Sequence, residues 1–166
     1  LFLNRPELID TLIRVDLTRV EKTKDEMLFE LRAALDEQSD VEAKLNALRR
    51  YKTEEFIRIG LHDLGGAIEL VPVLHQLSDL AAACLEGALG FTLEELGKKY
   101  GEVPEGRFAV IGGGKMGGRE IDYNSDLDLV FVYQADHDAR SRGGSQGRLV
   151  AHEFYVRLGQ KLITYL

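Results

Sequence analysis

Residues 108–133, FAVIGGGKMGGREIDYNSDLDLVFVY, carry the reading on which both fold and function turn. Phe108-Ala109-Val110-Ile111 is a short apolar run and reads as a buried strand. Leu127 to Tyr133 gives a second strand signal, in which Leu127, Leu129 and Phe131 face a core while Asp126 and Asp128 share the opposite face. The glycines between the two runs admit competing explanations. Gly112-x-Gly114-x-x-Gly117 has the spacing of a dinucleotide-binding loop, but that unit needs a crossover helix before the next parallel strand and an acidic residue about 20 positions on. Only seven residues, Arg119 to Ser125, separate Gly118 from Asp126. Asp122, Asn124 and Ser125 are poor interior residues for a packed helix. A mononucleotide P-loop fails for another reason: Lys115 is followed by Met116 where that loop needs a hydroxyl to reach magnesium.

A phosphate and metal chemistry fits the spacing better. Gly117 and Gly118 lack the Cβ that would crowd an anion, so bare backbone amides can approach a triphosphate. Two positions apart on a strand, Asp126 and Asp128 point to one side roughly 6 to 7 Å apart, close enough to hold magnesium that bridges them to phosphate oxygens. Divalent metal there neutralises charge on a leaving pyrophosphate, so the pattern predicts nucleotidyl transfer. Lys115 sits two residues before the diglycine, where its ammonium can meet phosphate charge. The same residues have plainer readings. Paired aspartates on a strand make an ordinary solvated face, Gly112 to Gly114 serve equally as strand-end turn residues, and Lys115 is a surface lysine. Asp122 and Glu120 read as solvated or capping residues.

Ahead of this segment the chain is helical. Asn4 and Pro6 open a short helix carrying Leu8, Ile9, Leu12 and Ile13, and a second runs from about Lys24 to Leu35 with Met27, Leu28 and Leu31 on its apolar side. Ser39 and Glu42 match a capping box at the start of a long helix through Leu45, Leu48, Phe56 and Ile59, which Gly65-Gly66 breaks. From Leu70 through Leu74, Leu77, Cys84 and Ala88 the 3.6-residue period is strongest. The pattern predicts a helical bundle over 1–103 and a second unit over 104–166. Residues 134–148 lack periodicity and read as a mobile surface loop, and helical spacing resumes from about Leu149 through Phe154, Leu158, Leu162 and Leu166.

Composition bounds the rest. In 166 residues, 45% are hydrophobic, enough to bury a core. The 28 acidic residues outnumber 21 basic ones, a net charge of −7, the wrong sign for a nucleic-acid partner. One cysteine, Cys84, on an apolar helix face reads as a small buried hydrophobe and fits a reducing cytoplasm. The apolar runs are too short for a membrane helix. His62, His75, His137 and His152 do not cluster with cysteine or one another, so they are expected to be structural. A first residue other than Met and a last residue inside an apolar periodic segment suggest an excised fragment.

GKMGGREIDYNSDLDLVFVY, with FAVIGG before it and HEFYVRLGQKLI after it, resembles the glutamine synthetase adenylyltransferases of the DNA polymerase β-like nucleotidyltransferase superfamily. LRRYKTEEFIRIGLHDLGG and the Leu77–Leu89 helix extend the resemblance into the helical half. It implies an α+β fold, a helical bundle followed by a partial nucleotidyltransferase sheet. It maps the superfamily's diglycine onto Gly117 and Gly118 and its first two metal-binding acids onto Asp126 and Asp128, with Ser125 ahead of them as in the family. The implied reaction moves AMP from ATP to a tyrosine of glutamine synthetase with Mg2+, in the control of nitrogen assimilation. SDLDLVFVY and HEFYVRLGQ look more like the adenylylating half. The deadenylylating half, which removes AMP by phosphorolysis, is the alternative, as is a regulatory module that binds glutamine synthetase or a PII signal protein without turnover. The family's third catalytic carboxylate comes from a later strand and is expected beyond Leu166, so an incomplete site is expected in these residues.

Overall fold

The computed structural model describes residues 15–166. The short helix expected around Leu8 to Ile13 lies outside the described residues. Helix α1, Lys24–Asp36, starts on Thr23, whose hydroxyl accepts the amide of Glu26 while the Glu26 carboxylate accepts the amide of Thr23. The capping box thus forms at Thr23 and Glu26 rather than at Ser39 and Glu42. Helix α2, Val41–Leu64, begins on Asp40, which takes the amide of Ala43 at 2.8 Å. A carboxylate accepts that bond at least as well as the neighbouring serine and adds charge at the positive end of the helix dipole. Gly65 ends α2 where the glycine pair predicted a break, with Gly66 left-handed at φ 67°.

Helix α3, Leu70–Tyr100, is 31 residues long and runs about 46 Å at the usual rise. It is the spine of the molecule. Leu28, Leu31 and Leu35 of α1 and Leu48 and Ile59 of α2 share one buried core with Val73, Leu77, Leu80, Cys84 and Ala88 of α3. Burial pushes the Cys84 thiol up to about 12, so it is an inert core group. A fully hydrogen-bonded polar knot lies beside this core. Arg58 is completely buried, gives Nε to Glu55 at 2.8 Å and Nη2 to Gln76 at 2.8 Å, and points Nη1 at the carbonyls of Arg19 and Val20. Lys22 joins with ion pairs to Glu55 and Glu30 at 2.8 and 2.7 Å. These bonds strap residues 19–22 across α2 and α3.

Strand β1, Arg107–Gly112, pairs antiparallel with β2, Leu129–Gln134, in a register that sets Val110 opposite Phe131 and Gly112 opposite Leu129. The molecule is therefore α+β. Between the strands lies a single short helix, α4, Gly114–Gly118. Neither the parallel pairing nor the crossover helix of a dinucleotide-binding unit is present in residues 107–134. Strand β2 starts two residues later than Leu127, because β1 ends at Gly112; past the ladder only the Gly113 amide reaches back, to the Asp128 carbonyl, and residues 126 and 127 have no partner in β1. The inner face of the sheet seats Phe108 between Phe131 and Tyr155, each ring centroid 5.8 Å away, on helix α5, Ala151–Tyr165. Ile121 and Leu162 carry the helical core across into this half.

Within the stretch expected to be a mobile loop, residues 143–146 form a strap over the C-terminus of α3. Gly143 donates to the carbonyl of Tyr100 at 2.8 Å, Gln146 to Lys99 at 2.7 Å and Ser145 to Lys98 at 3.2 Å. Backbone donors there satisfy carbonyls that a helix end leaves open. Composition gave no sign of this, since the partners are the α3 carbonyls some 45 residues earlier. The strap lies close: a Cβ on Gly144 would come within 2.6 Å of the Lys98 carbonyl oxygen.

Candidate active site

The chain leaves β1 at Gly112 and turns sharply into α4. Gly113 donates its amide to the carbonyl of Asp128 at 2.8 Å, the last bond tying the two strand ends together. Gly114 follows at φ 47°, a left-handed conformation that favours glycine. A Cβ there would lie 2.3 Å from Oδ2 of Asp128. So the glycine corner and one of the two acids are in direct apposition, and Gly114 is bare where the carboxylate needs the room.

Asp126 and Asp128 lie just ahead of β2, in extended chain. Along residues 126–131 exposure alternates: Asp126, Asp128 and Val130 face out, while Leu127, Leu129 and Phe131 are half-buried and pack on the core. The two carboxylates therefore share the outer side, as the spacing predicts for extended chain. Among the described residues no group of three His, Cys, Asp or Glu side chains gathers to hold a metal. An exposed pair of carboxylates suits magnesium, which binds through one or two carboxylates and completes its shell with water and substrate phosphates.

The diglycine lies inside α4. Gly117 uses its amide inside α4, donating to the carbonyl of Gly113 at 2.8 Å, and a Cβ on it would sit 2.8 Å from the Gly112 carbonyl oxygen. Gly118 closes the helix, and Arg119 takes a left-handed cap at φ 56°. The amides that α4 leaves open are those of its first turn, Gly114, Lys115 and Met116. Lys115 spans to Asp122 at 2.7 Å. That ammonium, with the amide of Asn124 and the Ser125 hydroxyl, draws the Asp122 carboxyl down to about 2. Ser125 closes a tight turn with Asp122, its hydroxyl taking the Asp122 amide at 2.9 Å.

Residues 119–125 are fastened to the helical half at three points. Arg119 grips both carboxylate oxygens of Asp79 at 2.9 Å, Ile121 gives its amide to the Ser78 hydroxyl at 3.2 Å, and Tyr123 gives its hydroxyl to Asp63 at 2.9 Å. Tyr123 also meets Phe56 edge-on at 5.2 Å. Burial, and then the hydrogen bond to Asp63, push the Tyr123 hydroxyl up to about 12. Local sequence carries no signal for Arg119 or Tyr123 as positioning residues, because their partners lie 40 and 60 residues away.

The family model described as glutamate-ammonia ligase adenylyltransferase matches residues 1–166. Similar curated proteins include the bifunctional glutamine synthetase adenylyltransferase/adenylyl-removing enzymes of Burkholderia pseudomallei, 38% identical over 86% of this chain, and Idiomarina loihiensis, 36% identical over 95%. That of Thioalkalivibrio sulfidiphilus is 33% identical over 99%. The matched segment is 16% of the first relative's length and 17% of the other two. Among the described residues no helix is long and apolar enough to cross a membrane.

Proposed function

The chain belongs to the glutamate-ammonia ligase adenylyltransferase family, and from that premise we propose that it forms part of a nucleotidyltransferase site moving AMP from ATP to a tyrosine of glutamine synthetase. The observation that carries the reading is the apposition of Asp128 with Gly113 and Gly114, with Asp126 on the same exposed side. It brings the glycine corner and the acids into one place, where phosphate and metal can meet. Asp126 and Asp128 would hold magnesium, which when bound with ATP supplies neutralisation of phosphate charge. The reaction breaks the bond between the α- and β-phosphates, forms one from the tyrosine oxygen to the α-phosphate, and releases pyrophosphate.

Each residue has a defined task in this reading. Gly117 and Gly118 keep the corner tight enough for a triphosphate to approach the open first-turn amides. Lys115 lies within α4 itself and can exchange Asp122 for phosphate. Ser125 holds the turn that presents Asp126. The acids themselves are exposed, so Asp126→Asn and Asp128→Asn should leave folding intact. The bifunctional names of the relatives cover both addition and removal of AMP. SDLDLVFVY and HEFYVRLGQ favour addition, the single cysteine fits a cytoplasmic setting, and the family resemblance suggests a PII-type protein as a regulatory partner.

The test is transfer of labelled AMP to purified glutamine synthetase by an enzyme of the relatives' length carrying this segment. Magnesium-dependent transfer that either Asn substitution lowers by about a hundredfold or more supports the assignment. Transfer unchanged in both variants overturns it. Phosphate-dependent release of AMP from the modified target, without addition, would assign the removing activity instead. Partner binding with neither reaction would mark a regulatory module.

A further inference from the structure

We propose that the cleft behind the aspartate segment binds a small amphipathic carboxylate, an aliphatic or aromatic body with one anionic head. This goes beyond the transfer reaction and does not depend on it. The cleft, about 630 Å³, lies between α2, α3, residues 121–127 and the end of α5, where Tyr165 and Leu166 complete its wall, and its size is within the usual range for small-molecule sites. Its floor is apolar: Leu77, Leu80 and Ala81 come from α3 and Leu48 from α2. Ile121 and Leu127 form the facing wall. A hydrocarbon or ring seated there would shed water on both sides, at roughly 25 cal/mol per Å² of apolar surface covered.

The rim selects the charge. Arg49 and Lys52 stand three positions apart on one face of α2, both exposed at the mouth. Among the described residues neither has a carboxylate partner, and Arg49 makes only a 3.4 Å contact with Asn46. This contrasts with the rest of the chain, where most of the cations near α3 are paired, as with Lys24, Arg32, Lys44 and Lys98. The acid at the opposite rim, Asp122, is already neutralised by Lys115. An apolar floor below two unpaired cations is complementary to an amphipathic anion. Leu127 belongs to the wall while Asp126 and Asp128 on either side of it face outward, so a ligand in the cleft would rest on the back of the acid-bearing segment.

Decanoate titrated into the full chain tests this by calorimetry and by amide chemical-shift mapping. The expected result is saturable binding, with shifts centred on Leu80, Cys84 and Leu127. Decanol, which lacks the anion, should bind about tenfold or more weakly, and so should decanoate to the Arg49→Glu, Lys52→Glu double variant. Both substitutions are on the surface, so the variant should fold, and its melting temperature checks that. A second variant, Ala81→Phe, fills the floor and should abolish binding while the rim stays charged. Equal binding of decanol and decanoate overturns the proposal, as does binding unaffected by the charge reversal. Shifts scattered over other surfaces, or no binding at millimolar decanoate, also overturn it.

Discussion

The carboxylate of Asp128 stands over the α-carbon of Gly114, so close that a methyl group there would fall 2.3 Å from Oδ2. The contact links a backbone choice to a functional group. Gly114 is left-handed at φ 47°, and its side of the turn is occupied by the acid itself.

Gly114→Ala should therefore do two things at once. The left-handed backbone alone costs on the order of 1 kcal/mol in any L-residue, and the methyl must also displace the Asp128 carboxylate. Urea unfolding is expected to show a loss of about 1–3 kcal/mol. In an enzyme of the relatives' length carrying this segment, magnesium-dependent ATP binding should fall further than the stability loss explains, which titration under folded conditions measures.

The buried arginine gives the largest expected stability effect. Arg58→Ala leaves the Glu55 charge short of a partner and frees the carbonyls of Arg19 and Val20, and should cost about 3–5 kcal/mol. Arg50→Ala on the exposed face of the same helix should stay within about 0.5 kcal/mol. Paired denaturation curves separate the two. Equal effects would mean that the knot contributes nothing special.

Gly144→Ala probes the strap over α3. Its methyl would meet the Lys98 carbonyl oxygen at 2.6 Å, so the strap must lift. The expected cost is about 1–3 kcal/mol. Hydrogen exchange should quicken at the amides of Gly143, Ser145 and Gln146, which now close the helix end. A tightly packed but dispensable loop would leave those amides protected.

Acid should loosen α5 from α3. Burial alone would raise the Glu95 carboxyl, but hydrogen bonds from Lys161, Lys99 and Tyr165 outweigh it and hold the group at about 2. A depressed carboxyl stabilises the fold above its unfolded value, near 4.5, and loses that contribution as pH falls toward 2. Thermal unfolding followed between pH 5 and pH 2 should show a steeper decline for the native chain than for Glu95→Gln. Parallel declines would exclude Glu95 as a source of acid sensitivity.

Periodicity served well wherever structure is local. The helices around Met27, Leu48 and Leu77 follow from apolar spacing, and the Gly65-Gly66 break and the pair of strands follow from turn chemistry and β-branched runs. The alternation of Asp126 and Asp128 against Leu127 and Leu129 also survives beyond the end of the ladder, because the core alone dictates it. What could not be read involves partners far along the chain. Ser39 and Asp40 are both competent caps, and only the geometry of entry selects between them. Residues 134–148 look unstructured until the α3 carbonyls they cover are known. Gly113 and Gly114 were open between turn and ligand roles, and nothing local says that Asp128 rests on them.

The grips of Asp79 on Arg119, Ser78 on Ile121 and Asp63 on Tyr123 have a mechanical consequence. They act as rivets that fasten α3 and the end of α2 to residues 119–123, three to nine residues ahead of the acids. A shift of either helix against the sheet therefore has only that short stretch of chain in which to dissipate before it reaches the acids.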